Sequence, residues 1–182
     1  MLPNKKIENK GIISSEFVKL SLTDFLSACQ YVQELPYGRT SKPKDFLLVL
    51  KEQHGTCSSK HALLAALAEE LGLPLSLTLG IYRMTAANTP GVGPILAKHR
   101  MEFIPEAHCY LTYQNERFDF TKKLKPGQEP ITEFLTEEII IPVQIGAYKT
   151  EFHKAFLRDY YGPERLDEIW AIREECIKTL SD

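Results

Sequence analysis

Residues 55–82 read GTCSSKHALLAALAEELGLPLSLTLGIY, and this stretch decides the fold. From Cys57 to Leu71 it is dense in Ala, Leu and Glu, the strongest helix formers, and Gly72 and Pro74 bring the helix to an end. Leu75, Leu77, Leu79 and Ile81 then alternate with other residues, the period-2 pattern of a strand. A helix and a strand joined by so short a turn pack against each other, so the chain is expected to be α+β.

Toward the N-terminus, residues 11–20 suggest a strand. Ser21 or Thr23 can then cap a helix running to about Leu35, where the turn Pro36-Tyr37-Gly38 stops it. Leu22, Phe25, Leu26, Cys29 and Val32 recur at spacings of three and four, which puts Cys29 on the core-facing stripe. A short helix is expected over residues 44–51. Toward the C-terminus, residues 84–105, which include TPGVGP, read mostly as loop. Residues 107–113 and 117–121 form an expected hairpin about a polar turn at 114–116. EIIIPVQIG, residues 138–146, is a further strand that Pro142 confines to an edge or interrupts. Pro163 suits a first helical turn, and Leu166, Ile169, Trp170, Ile177 and Leu180 keep helical spacing behind it, with Cys176 beside the stripe as a packing residue. The whole, residues 1–182, reads as one domain with helices flanking a mainly antiparallel sheet.

The length suffices to bury a core without disulfides or a structural metal. The 22 basic and 24 acidic residues give a net charge of -2 and are spread along the chain, so no basic stripe points to nucleic acid. The opening segment MLPNKKIENKGIISSEF lacks the apolar stretch and small-residue cleavage site of a secretory signal, and no apolar run reaches membrane length. The expectation is a cytoplasmic protein without membrane contact, whose four cysteines sit in a reducing compartment as core thiols, metal ligands or a nucleophile.

Cys57 stands apart from the other three. Gly55 and Thr56 precede it and the helix follows at once, so its sulfur is expected at the helix N-terminus, where unpaired N–H groups and the helix dipole favour a thiolate. His108 opens a strand, from which an imidazole can serve acyl transfer as base and then acid. Asp119 lies on the partner strand. A two- or four-residue hairpin loop places it opposite Tyr110 or Thr112, on the face His108 uses, where its carboxylate can accept the distal imidazole N–H; a three-residue loop turns it to the other face.

Cysteine at a helix start, histidine at a strand start and aspartate on the next strand occur here in that order. With them, GTCSSKHALLAALAEELGLPLSLTLGIY followed by HCYLTYQNERFDFT resembles the core of the transglutaminase-like superfamily, over about residues 37–121. The resemblance implies a papain-like core in which the long Cys-bearing helix packs on an antiparallel sheet. It also implies Cys57 as nucleophile, His108 as general base and acid, and Asp119 as the orienting group. An oxyanion hole would be formed by the Cys57 backbone N–H and a second donor just upstream, for which Gln53 is the candidate. The expected chemistry is amide hydrolysis or aminolysis through a thioester, on a peptide, protein or small amide, with no cofactor. The chain departs from the common pattern in the short interval of eleven positions from His108 to Asp119 and in lacking the aromatic that often follows the cysteine.

Two other classes of function stay open. A binding or scaffold module can keep this fold and lose catalysis. Zinc is suggested by His54, Cys57 and His61, with His108 and Cys109 beyond them, although no CxxC or HExxH occurs and Cys109 is expected on the opposite strand face from His108. His61, on an apolar helix, is otherwise a satisfied core or boundary residue. No paired acidic calcium loop is present.

Overall fold

Twelve consecutive residues of one helix, 57–68, are buried, and a helix covered on every side is a core element and not a surface one. This is α4, Cys57–Glu70, in a computed structural model that describes residues 1–180. Before it come α1 (Ile12–Lys19), α2 (Phe25–Glu34) and α3 (Leu48–Glu52). After it come β1 (Ser76–Met84), α5 (Gly93–Lys98), β2 (Ile104–Tyr113), β3 (Glu116–Phe118), β4 (Thr136–Ile140), α6 (Ala147–Tyr161) and α7 (Leu166–Lys178). The four strands form an antiparallel sheet in the order β3-β2-β1-β4, and the class is α+β. β4 is an edge strand that gives way to a 3-10 turn at Pro142–Ile145, in keeping with a proline that cannot donate to a ladder. Among the described residues no helix is long and apolar enough to cross a membrane.

The chain divides into two compact units. The first comprises Met1–Leu79, Cys109–Lys123 and Ile139–Gly146. Here α4 is packed by α1, α2, α3 and the Pro142–Ile145 turn. Residues 11–20, expected as a strand, are the helix α1. Ile13 and Phe17 are buried four residues apart, a helical spacing, and the helix start is held by a distant group: Ile13 and Ser14 donate their backbone N–H groups to the Glu70 carboxylate at 2.9 and 2.7 Å. A Cβ on Gly11 would run into that carboxylate and push it aside. α2 begins after Asp24, not Ser21 or Thr23. The Asp24 side chain accepts from Ser27 N at 3.1 Å and Asp24 N donates back to Ser27 Oγ. Cys29 is fully buried on the expected stripe with Phe25, Ala28 and Val32. α3 is a single short turn of helix, later than expected, because residues 42–47 are spent in turns.

The second unit comprises Gly80–His108, Leu124–Glu138 and the chain from Ala147. Its core gathers Tyr82, Met84, Val92, Leu96, Leu157, Ile169 and Cys176 among others, with Leu166, Trp170 and Leu180 packed beside them. Residues 84–105 are more ordered than a loop. Thr85 and Asn88 close a turn by reciprocal bonds, Pro94 sits in the first turn of α5, and Leu96 drops into the core. Pro163 opens a 3-10 turn (Pro163–Arg165) just ahead of α7. Arg173 on α7 makes a buried bidentate pair with Glu106 on β2, at 2.6 and 2.5 Å.

Candidate active site

Cys57 is the first residue of α4. Its position is set by the segment ahead of it. Gly55 donates its N–H to Pro36 O and accepts Gly38 N–H, and a Cβ at Gly55 would lie 2.9 Å from both Ser59 Oγ and Val49 Cγ2. Only glycine passes through this gap unstrained. Thr56 then caps the helix with Ser59 in reciprocal bonds, Thr56 N to Ser59 Oγ at 3.0 Å and Ser59 N to Thr56 Oγ1 at 3.4 Å. The Cys57 side chain, in a residue 6% exposed, lies with its sulfur 3.8 Å from Ser58 Oγ. A thiol in the first turn of a capped, buried helix meets the positive end of the helix dipole, the condition under which thiolate is favoured.

The first turn of α4 is polar yet buried, so each of its groups needs a partner. His61, 0% exposed, sits 2.8 Å by Nδ1 from Cys57 O and 2.7 Å by Nε2 from Phe120 N. A carbonyl only accepts and an amide N–H only donates, so Nδ1 carries the proton and Nε2 accepts. The imidazole is neutral and its tautomer fixed. It is a satisfied core histidine tying the first turn of α4 to the segment after β3. The approach of its Nε2 to Asp119 Oδ1, 3.6 Å, joins two acceptors and is no hydrogen bond.

β3 stops at Phe118, so Asp119 lies just past the strand and not within it. The β2–β3 register pairs Tyr113 with Glu116, Thr112 with Arg117 and Leu111 with Phe118. The loop is therefore the two residues Gln114 and Asn115, both at positive φ (49° and 63°), the pattern of a type I′ hairpin. Continued by one residue, this register brings Asp119 level with Tyr110. The Asp119 carboxylate accepts Thr121 N–H at 2.8 Å, its carbonyl accepts from Gln33 Nε2 at 3.3 Å, and its side chain is 42% exposed.

Lys60 is the residue that sequence reasoning passed over. It is 0% exposed, and its ammonium donates to Leu35 O, just past the C-terminus of α2, and to Thr121 O at 2.7 Å. Burial pushes the ammonium down to about 8. The charges of Asp119 and Cys57 act against that fall, and Lys122 adds to it. Its partners lie 25 and 61 positions away, so no local feature of the sequence marks it.

Gln53 ends α3 in a left-handed conformation (φ 58°) and is exposed. Its Oε1 accepts from Tyr31 OH at 2.8 Å and its Nε2 donates to Leu50 O. His108 belongs to the second unit, where it lies on β2, buried, in edge-on contact with the Tyr82 ring at 5.8 Å. Tyr82 OH is in turn 3.0 Å from Thr89 Oγ1. Burial pushes the Cys29 and Cys176 thiols up, as fits packing residues. None of the four cysteines is in a disulfide.

Among the described residues no three His, Cys, Asp or Glu side chains gather to hold a metal ion. His54 faces the carbonyls of Glu52 and Arg39 through its two ring nitrogens, at 2.8 and 3.2 Å, and both nitrogens of His61 are engaged as above. No protein-family model, curated protein or solved structure matches the chain.

Proposed function

We propose that the chain is a cysteine-dependent acyl-transfer enzyme of the transglutaminase-like kind, acting on an amide of a peptide, protein or small molecule. The observation that carries the reading is Cys57 itself, a buried thiol at the first residue of a fully packed helix whose cap is closed by Thr56 and Ser59. In the proposed cycle the Cys57 thiolate adds to the amide carbonyl carbon. The negative charge moves to oxygen, where the Cys57 backbone N–H and the second Nε2 proton of Gln53 receive it. The carbon–nitrogen bond then breaks, the amine leaves with a proton from His108, and a thioester remains. Water or a second amine attacks the thioester, His108 takes the proton of the incoming group, and the sulfur leaves as thiolate. Asp119 orients His108 and stabilises its imidazolium. The location consistent with free thiols of this kind is the cytoplasm.

The exposure of the Asp119 carboxylate favours a second reading, a binding or scaffold module of the same fold that no longer turns over. Site-resolved iodoacetamide labelling against pH, on wild type and on His108→Ala, separates the two. Fast labelling of Cys57 alone, with an apparent pKa well below that of a free thiol and dependent on His108, supports the enzyme. An ordinary, His108-independent Cys57 refutes it.

A further inference from the structure

We infer that Lys60 is a positioning residue of this site: clamped between Leu35 O and Thr121 O, its buried ammonium holds the Asp119–Thr121 turn to the Cys57 helix and stabilises the Cys57 thiolate. The inference rests on the reading of Cys57 as nucleophile and adds a group which that reading does not use.

A hydrophobic residue of similar length would fill the same space beneath the turn, so packing alone does not explain a lysine here. Burying an ammonium is costly unless strong acceptors and an anion surround it. Two acceptors are backbone carbonyls from separate parts of the chain, 25 and 61 positions away in sequence. One of them, Leu35 O, follows the C-terminus of α2, an end that favours a cation. The clamp therefore fixes three segments at one point: the end of α2, the first turn of α4 and the turn after β3. Lys60 and Cys57 lie three residues apart on α4, the spacing at which two side chains share a helix face. Asp119, two residues before Thr121, is an anion acting on the same ammonium, and Lys122 is the cation opposing it. His61, on the same turn, is neutral by its hydrogen bonds and adds no charge. The Cys57 thiolate thus shares its helix face with a fixed cation, in addition to meeting the helix dipole.

The test is the pH profile of Cys57 labelling by iodoacetamide in the full chain, for wild type and Lys60→Met, with thermal unfolding recorded for both. Loss of the ammonium is expected to raise the apparent Cys57 pKa by about one unit, and so to slow labelling about tenfold at pH values below the wild-type pKa. A low wild-type pKa together with an unchanged value in a folded Lys60→Met overturns the inference and leaves the acyl-transfer reading standing. An ordinary thiol pKa in the wild type overturns both. Should Lys60→Met fail to fold, the same coupling is read from the other side, by NMR titration of the Lys60 ammonium in wild type and in Cys57→Ser. Coupling between sites is reciprocal, so the serine variant is expected to lower the Lys60 pKa by about the same one unit. An identical Lys60 titration in the two proteins overturns the inference.

Discussion

Replacing His61 by phenylalanine tests the way the first turn of α4 is built. The ring is kept, along with its tilted contact to Phe120 at 6.2 Å, while both nitrogens are removed. The two bonds lost are not equivalent. Cys57 O remains an acceptor for the helix ladder, so its loss of the Nδ1 proton costs little. Phe120 N–H has His61 Nε2 as its partner at 2.7 Å and is left unpaired in a part-buried position. An orphaned buried donor costs roughly 1–3 kcal/mol, so the expected destabilisation is about 2 kcal/mol. Urea unfolding followed by far-UV circular dichroism measures it, at unchanged slope if the denatured state is not altered. His61→Gln, whose Oε1 can accept from Phe120 N–H, is expected to recover part of the loss. A Phe variant within about 0.5 kcal/mol of wild type, the range of ordinary surface substitutions, refutes the assigned role. So does a nitrogen-15 spectrum showing the proton of wild-type His61 on Nε2.

Three further outcomes are expected. Gly55→Ala forces a Cβ to within 2.9 Å of Ser59 and Val49, so it is expected to cost about 1–3 kcal/mol in urea unfolding and to slow Cys57 labelling; a silent alanine contradicts the close approach. Gln53→Ala is expected to lower amide turnover by roughly 10²-fold while leaving iodoacetamide labelling unchanged, since alkylation builds no oxyanion; equal effects on both remove Gln53 from the oxyanion hole. Glu106→Gln or Arg173→Met alone is expected to cost about 3–5 kcal/mol, and replacing both by apolar residues far less. Burial pushes the Glu106 carboxyl up, but Arg173 overrides it and holds it below its ordinary 4.5, so this stability is present above pH 4.5 and is lost as pH falls below it. Urea midpoints that do not move with acid, or that move equally in Glu106→Gln, contradict the pairing.

What could be read in the sequence was whatever local spacing determines. The α4–β1 pair follows from Ala/Leu density and then alternation, and the buried face of Cys29 from its neighbours at three and four. The hairpin was legible too, although its loop length was not, because Gln114 and Asn115 reach positive φ without a glycine to announce it. α1 was missed because Ile12-Ile13 reads as β-branched and the group that caps the helix, Glu70, lies 56 and 57 positions away. α5 was hidden by Gly93-Pro94, read as turn residues when proline also opens helices. In the candidate site, Cys57 was legible from its helix start. The clamp on Lys60 and the tautomer of His61 were not, since both depend on backbone groups brought close only by the fold.

α4 carries a sulfur at its first residue and, at its last, the carboxylate that starts α1. A helix of fourteen residues is about 21 Å long, and each residue added or removed turns its far end by about 100°. An insertion of one residue between Cys57 and Glu70 therefore swings either the thiol or the carboxylate away from its place. In the descendants of this gene, loops can lengthen and surfaces drift, but the thirteen-residue step from Cys57 to Glu70 is expected to tolerate substitution and to reject a change in length.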